Sequence, residues 1–540
     1  MLNSFWWGHN GNNGRGIHWL SWQRLSVKKD NGGMGFKNLK AFNLAMLGKQ
    51  AWNLVTKPDC LITKLLKARY FPKCDFFEAN IGHNPSYVWR SIWSSKSVVK
   101  GGCKWSIGTG EKIDIWGQNW LKEGMSISTP PIMQMSRDVS KVKDIMMTNS
   151  KSWDIDKISN MFDNSTVRRI VNTPLLASVR TDKLVWKLEQ DGVYTVHSAY
   201  NYYVNNVESQ DNAGIAGNWQ QIWRAKIPPR VKNLLWRIGR NVLPTRVRLN
   251  SRGIQCPENC AICNDGVEDS IHVLFLCPHN MACWQQEELW NHINAGLNTS
   301  NNIADILLSI LHNLNQEQQA NFSVLLWSIW KRRNNKVWNN ISETNTTVCE
   351  RARHFITSWK QAQQIRSSAN ISQPIQQHIN WEKPSRGRYN CNIDASFSHT
   401  RNKVGIGMCI RDDHGRYVAA KTEWLSPILD VEIGEAMGLL SALKWVDELQ
   451  LRDMDFEMDC KRVVDCLHSS RTYNSELGDI LRDCRFILTT SLVNSHVKFI
   501  RRQANEVAHR LAREATSLAS FHIFINIPTC IYDIILNEMR

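Results

Sequence analysis

The sequence predicts a multidomain chain: a mainly α N-terminal and middle part with β-hairpins and a Cys/His cluster, then a C-terminal α/β unit whose mixed sheet carries helices on both faces. Three observations predict this. The 540 residues exceed what one hydrophobic core organises. Apolar residues recur at helical spacing through most of the first 366 positions, with period-2 alternation only in short stretches near 103–121 and 182–203. From Tyr389 the pattern changes to three alternating runs followed by alternating helix and strand signals.

In order along the chain, a turn at Gly32-Gly33 precedes a helix with Leu39, Phe42, Ala45, Met46 and Lys49 at helical spacing. "CKWSIGTGEKIDIWGQNWL" reads as a hairpin, with Trp105 and Ile107 before a Gly-Thr-Gly turn and Ile113 and Ile115 after it. Residues 125–178 are polar and give no clear pattern. "DKLVWKLEQDGVYTVHSAYNYY" reads as a second hairpin turning at Asp191-Gly192 into a helix from Ser198 to Tyr203. An Asn/Gly-rich loop over 205–218 leads to a basic helix containing Trp236. "IADILLSILHNL" and "FSVLLWSIWKRRNNKVW" are amphipathic helices, and the polar run after them reads as a linker. The last unit shows strands at 389–397, 403–411 and 416–424, a helix with Leu439, Leu440, Leu443 and Val446 on one face, the strand "DFEMDC", the helix "KRVVDCLHSS", the strand "SHVKFIRRQ" and the helix "NEVAHRLAREATSLA".

The 66 Lys plus Arg against 49 Asp plus Glu leave a net charge of +17, which favours a polyanionic partner, nucleic acid before an anionic membrane surface. The charge is concentrated. Residues 1–70 hold eleven Lys/Arg and two acids, and residues 221–254 hold nine and none. Both blocks are interleaved with Trp and Leu, as on folded phosphate-contacting helices rather than a disordered tail. Fifteen scattered Cys point to a reducing, intracellular compartment, nucleus or cytoplasm. The N-terminus lacks a secretory pattern, so secretion is not expected. "FHIFINIPTCIYDIIL" is too short and too interrupted to span a bilayer, so no membrane association is expected.

Cys260, Cys263, His272 and Cys277 form C-x2-C-x8-H-x4-C. Zn2+ takes four N/S ligands in a tetrahedron, and the close Cys pair supplies one side while His and Cys bracketing an apolar run supply the other. Ile271, Leu274 and Phe275 are placed to pack beneath such a site, which reads as structural. Cys256, His279 and Cys283 are near enough in sequence to replace one of the four.

Asp394 interrupts a strand in "CNIDASF", on the polar side of an alternation shared with Asn390 and Asn392. Glu435 begins a helix, with Glu432 as the alternative, and Asp459 stands at the carboxyl end of a strand, where open α/β sheets collect their ligands. Carboxylates converging there call for hard cations, Mg2+ or Mn2+, and two such ions can clamp an in-line phosphoryl displacement.

"YNCNIDASF", "GEAMGLLSALKW", "FEMDC" and "NEVAHRLA", in this order, resemble the type-1 ribonuclease H domain found in plant non-LTR (LINE-type) retrotransposon proteins. The resemblance implies a ribonuclease H-like mixed sheet over 389–520 in which Asp394, Glu435 and Asp459 hold the metal ions that hydrolyse the RNA strand of an RNA/DNA hybrid. Active members place an aspartate four residues after the Asn of the last motif; here that position is His509, and imidazole is a poor Mg2+ ligand. The loop rich in His and Gly that usually precedes that helix is missing from "FIRRQANEVAH". The Cys/His cluster and the basic helix before it resemble the zinc-binding domain that follows the reverse transcriptase in these elements, over 183–290. The N-terminal segment is similar to the region after their polymerase core, over 1–125. The expected division adds a linker region at 126–182, a helical connector at 300–366, a linker at 367–388 and a C-terminal tail at 521–540. No aromatic-x-Asp-Asp turn is present, since Asp412-Asp413 follows Arg411, so no reverse transcriptase activity is expected and the chain reads as truncated upstream. The expected function is nucleic-acid binding with RNA/DNA-hybrid ribonuclease activity, single or double strands being held through the basic helices within 1–70 and 221–254. The alternative is a weakened or inactive zinc and nucleic-acid binding remnant.

Overall fold

The computed structural model describes residues 2–8, 16–127, 139–207, 214–369 and 381–539. The linkers expected at 126–182 and 367–388 and the loop at 205–218 fall partly outside them. The chain divides into two compact units, the first made of residues 1–42 and 204–375, the second of 43–203 and 376–540.

The first unit is helical. Its core joins Trp19, Leu20 and Leu25 to Trp219, the apolar side of the helix Pro229–Gly239 and the helices Ile303–Asn313 and Gln316–Asn339. Pro229 at the helix start has no N–H to leave unsatisfied. Asn315 and Gln318 close a reciprocal capping box at the head of the 24-residue helix, which ends at Asn340 in the left-handed region (φ 53°). The turn at Gly32 is real and demanding: φ is 81°, and a Cβ there would lie 2.9 Å from the Trp219 ring.

The second unit contains a two-stranded and a six-stranded sheet. Strands β1 (Cys103–Ser106) and β2 (Lys183–Trp186) pair antiparallel, with Trp105 opposite Leu184. Neither expected hairpin forms. β1 takes a distant partner because the Asp182 carboxylate accepts the backbone N–H groups of Gly108, Gly110 (both 2.8 Å) and Lys112 (2.9 Å), which holds the Gly-Thr-Gly segment as a loop. Ile113 and Ile115 enter a small core with Trp120, Ile158 and Ile170 instead. That core also gives structure to the polar stretch without a pattern, through the helices Ile155–Met161 and Asn164–Val171. After β2 the chain turns at Gly192 and enters the helix Val196–Tyr202, capped by Thr195, with no returning strand. In the helix Leu39–Thr56, Leu39 and Met46 are exposed, while Ala41, Ala45, Ala51 and Trp52 are buried. The buried stripe shares Ala45 with the expected one and is otherwise rotated around the helix from it.

The large sheet has strands β3 (Tyr389–Ser398), β4 (Lys403–Arg411), β5 (Tyr417–Leu425), β6 (Met454–Met458), β7 (His496–Phe499) and β8 (His522–Phe524) in the order β7-β6-β3-β4-β5-β8. β3 is parallel to β6 and antiparallel to β4, so the sheet is mixed. Cys391 and Ile393 pack with Leu439, Leu443 and Val446 of the helix Val431–Glu448 and with Ile480 and Leu481 of the helix Glu476–Thr490. Cys409 and Ala420 pack with Val507 and Leu511 of the helix Glu506–Ala515. Gly405 and Gly407 let that last helix lie close on β4: a Cβ at either would stand 2.2–2.3 Å from backbone atoms of Ala512. The sheet also takes in residues beyond 520. β8 extends its edge, and Arg411, almost fully buried, pairs with Glu538 of the helix Tyr532–Met539.

Candidate metal centres and their relatives

Parallel register brings two of the carboxylates together. Ile393 of β3 lies opposite Met458 of β6, and one residue further along each strand come Asp394 and Asp459. Glu435 reaches them from the second turn of its helix, and one carboxylate oxygen from each of the three lies within 4.8 Å of the others. Asp394 is 3% and Glu435 6% exposed. Burial, then the charges of Asp394 and Asp459, hold the Glu435 carboxyl well above the usual range, and its Oε2 is buried with no hydrogen-bond partner. Burial and then Asp459 push Asp394 up to about 7, against the opposing pull of His509. Acids packed this way carry charge at neutral pH only with a cation among them, so the donor set fits a hard divalent ion.

His509 lies beside this group. Its Nδ1 is 2.8 Å from Asp394 Oδ2, and its Nε2 is 3.1 Å from Arg502 Nη2. Arg502 has only donors, so this geometry makes Nε2 the acceptor and leaves the proton on Nδ1, donated to Asp394. Glu432 is turned elsewhere, into contact with Arg462 (2.7 Å) and Gln190 (3.3 Å). Asn505, which in the sequence only marks the position of His509, has a structural role that the sequence reading did not assign. Its Nδ2 donates to the Ile393 carbonyl (2.8 Å) and its Oδ1 accepts from Asn392 (3.2 Å), which ties the start of the His509 helix to the strand of Asp394. The signal was there in principle: an Asn four positions before His509 and another two before Asp394, both in apolar surroundings.

In the first unit, Cys260, Cys263, His272 and Cys277 each present one ligand atom within 4.8 Å of the rest. The chain reverses after Cys260 through Asn264 and Gly266, both at positive φ, and Cys260 N–H bonds the Gly266 carbonyl (2.9 Å). A π-helical turn, His272–Leu276, then brings Cys277 back, its N–H donating to the His272 carbonyl (2.7 Å). Cys263 Sγ lies 3.4 Å from His272 Nε2. The nearness of the two thiols lowers that of Cys260 to about 5 and raises that of Cys277. Val273, Leu274 and Phe275 are fully buried beneath, while Ile271 is only partly so. Of the three alternative ligands, Cys283 interacts with Cys349 and Cys256 Sγ faces the Arg246 carbonyl and Asn250, and neither these two nor His279 joins the group. Glu268, fully buried, braces the loop from behind: its carboxylate accepts from the Ala261 and Arg246 N–H groups and pairs with Arg333 (2.6 Å). A further group, Asp412, Asp413 and His414, is a self-bonded turn between β4 and β5.

Comparison with known proteins places both centres in described families. Residues 194–284 match the family described as zinc-binding in reverse transcriptase, and residues 392–515 match that described as reverse transcriptase-like. An Arabidopsis thaliana protein named "Putative ribonuclease H protein" is 26% identical over 558 aligned positions, covering 95% of this chain and 83% of that protein. An "Uncharacterized mitochondrial protein" of Arabidopsis thaliana is 36% identical over 132 positions, covering 24% of this chain and 84% of that protein. The chain belongs to that protein's family. Among solved structures, ribonuclease H1 of Halobacterium salinarum covers 24% of this chain and 98% of its own, at 22% identity and a TM-score of 0.23. LC11 ribonuclease H1, solved in complex with an RNA/DNA hybrid, covers 24% of this chain and 96% of its own, at 19% identity and a TM-score of 0.22. Neither likeness bears on activity. The chain therefore carries a segment that matches the family described as zinc-binding in reverse transcriptase, with a Cys3His cluster, and a C-terminal segment that matches the reverse transcriptase-like family and is built on a mixed six-stranded sheet with helices on both faces. No helix among the described residues is long and apolar enough to cross a membrane.

Proposed function

We propose that the chain is a retroelement-derived, metal-dependent ribonuclease that cuts the RNA strand of an RNA/DNA hybrid. The observation that carries this is the convergence of Asp394, Glu435 and Asp459 within 4.8 Å, with an unpartnered buried Glu435 oxygen. The name of the long Arabidopsis relative supports the same class. Asp394, Glu435 and Asp459 would hold Mg2+ or Mn2+, which when bound supplies an activated water and charge stabilisation at the leaving oxygen. Asn505 and Asn392 keep the last helix against β3, and His509 orients the Asp394 carboxylate through Oδ2. In the first unit Cys260, Cys263, His272 and Cys277 would hold a structural Zn2+, and the basic helices within 1–70 and 221–254 would contact nucleic acid. Incubation with a labelled hybrid and Mg2+ or Mn2+ should release RNA fragments. Hybrid left intact at high protein concentration in Mn2+ overturns the reading.

The His509–Asp394 contact supports a second reading, a zinc and nucleic-acid binding protein with little turnover, because a hydrogen bond to Oδ2 competes with a cation for that oxygen. Salt-sensitive hybrid binding without cleavage would favour it. Cleavage that disappears in Asp459→Asn would exclude it.

A further inference from the structure

Parts of the two basic blocks, far apart in sequence, fold onto one surface of the first unit. Trp236 of the second block donates its indole N–H to the Gly32 carbonyl (3.0 Å), and Trp7 donates to the Leu20 carbonyl (3.2 Å). On this frame Arg237 lies over the Trp7 ring (5.6 Å), and Arg248 and Arg252 over Trp19 (5.8 and 5.7 Å). Arg24 stands close enough to Arg240 to help burial hold that guanidinium below its usual range, and Arg252 does the same to Arg248.

Three acids of this unit are engaged with other arginines. Glu268, Glu343 and Glu287 pair with Arg333, Arg351 and Arg353, and among the described residues no salt bridge involves any of the surface arginines just named. Arg237 and Arg248 each keep a buried Nε with no hydrogen-bond partner. Like charges gathered and partly dehydrated without counter-charges cost stability, and an external polyanion would relieve that cost. Guanidiniums placed over indole rings are ordered forks for phosphate oxygens, whereas a lipid surface is served by flexible, well-hydrated lysines. Phe5, 82% exposed two residues before Trp7, offers a free ring to an unpaired base.

We propose that this face binds the backbone of single-stranded nucleic acid, with Arg24, Arg237, Arg240, Arg248 and Arg252 contacting phosphates. It extends the nucleic-acid part of the proposed function and does not depend on cleavage. The probe is a fluorescent oligodeoxythymidine, which contains no RNA to cut, so its binding is read independently of the carboxylate centre. Anisotropy titrations would use the full chain with zinc and without Mg2+ over a range of salt.

Combined Arg24→Gln, Arg240→Gln and Arg252→Gln should weaken binding about tenfold or more near physiological salt and flatten the log–log salt slope by about two. A control of equal charge change, Lys64→Gln with Lys67→Gln and Arg69→Gln, all exposed in the second unit, should do much less. In the wild-type chain, bound oligonucleotide should protect Arg24, Arg240 and Arg252 from phenylglyoxal, read by mass spectrometry; this keeps the test alive if the triple variant misfolds. Unchanged binding in a folded triple variant, an equal loss in the control, or no protection overturns the proposal. So does binding to phosphatidylserine vesicles that falls in the triple variant while oligonucleotide binding stays intact. Oligonucleotide binding without hybrid cleavage would sink the ribonuclease reading and leave this one standing.

Discussion

The Cys/His cluster and the carboxylate cluster are both polydentate sites, built in opposite ways. The first is local: its ligands come from one short segment folded back on itself by Asn264, Gly266 and a π-helical turn. The second is assembled at long range, from the ends of two adjacent parallel strands and from a helix packed on their sheet. A local loop has little core of its own, so metal binding and folding are coupled there. The sheet stands on its own apolar contacts, so an ion at the carboxylates adds chemistry more than fold.

The largest difference between the two sites is expected at Asp394. Asp394→Asn should lower hybrid cleavage on the order of 10³-fold while leaving the circular dichroism spectrum unchanged. A variant that unfolds instead would show that the carboxylates hold the sheet together. The next largest effect is expected at Glu268. Glu268→Gln breaks a buried ion pair and should cost about 3–5 kcal/mol. Urea unfolding together with zinc release measured by a chromogenic chelator would read it. A zinc loop that keeps its metal and stability in this variant is not braced from behind.

His509→Asp sharpens the second site. Adding a fourth carboxylate where Nδ1 now meets Asp394 should lower the Mg2+ concentration for half-maximal cleavage by about tenfold. No change would mean that His509 does not limit metal binding. The smallest effect is one of pH. Asp394, raised to about 7 in the folded protein from an ordinary 3.8, contributes stability that is complete below about pH 4 and is lost as pH rises through 7. The melting temperature of the metal-free chain should therefore fall across that window, and saturating Mg2+ should flatten the fall. A Tm independent of pH without metal would show that the acids are not in conflict.

The two regions also differ in how far they could be read from the chain. The C-x2-C-x8-H-x4-C spacing is itself the zinc-type site, because ligands so close in sequence need only a turn to meet. The strands of the last unit were legible from alternation, and β3 and β4 fall within a residue of expectation. The hairpins at 103–121 and 182–203 were misread for a physical reason. Alternation marks a residue as able to pair but carries no information on its partner, and Asp182 commits the Gly-Thr-Gly backbone to a loop. β8 was missed because a three-residue edge strand is too short to show a period.

Residue order alone specifies the chemically capable side chains and the elements that carry them: Asp394 on a strand, Glu435 on a helix, Asp459 at a strand end, and four metal-type ligands within one short segment. Tertiary structure decided which of them meet. It chose Glu435 over Glu432, left Cys256, His279 and Cys283 outside the metal-type group, set His509 directly against Asp394 while Asn505 held its helix to β3, and brought arginines from two distant blocks to one face. Those choices depend on strand register and helix packing. Both are set by contacts between residues far apart in the chain, which local periodicity does not record.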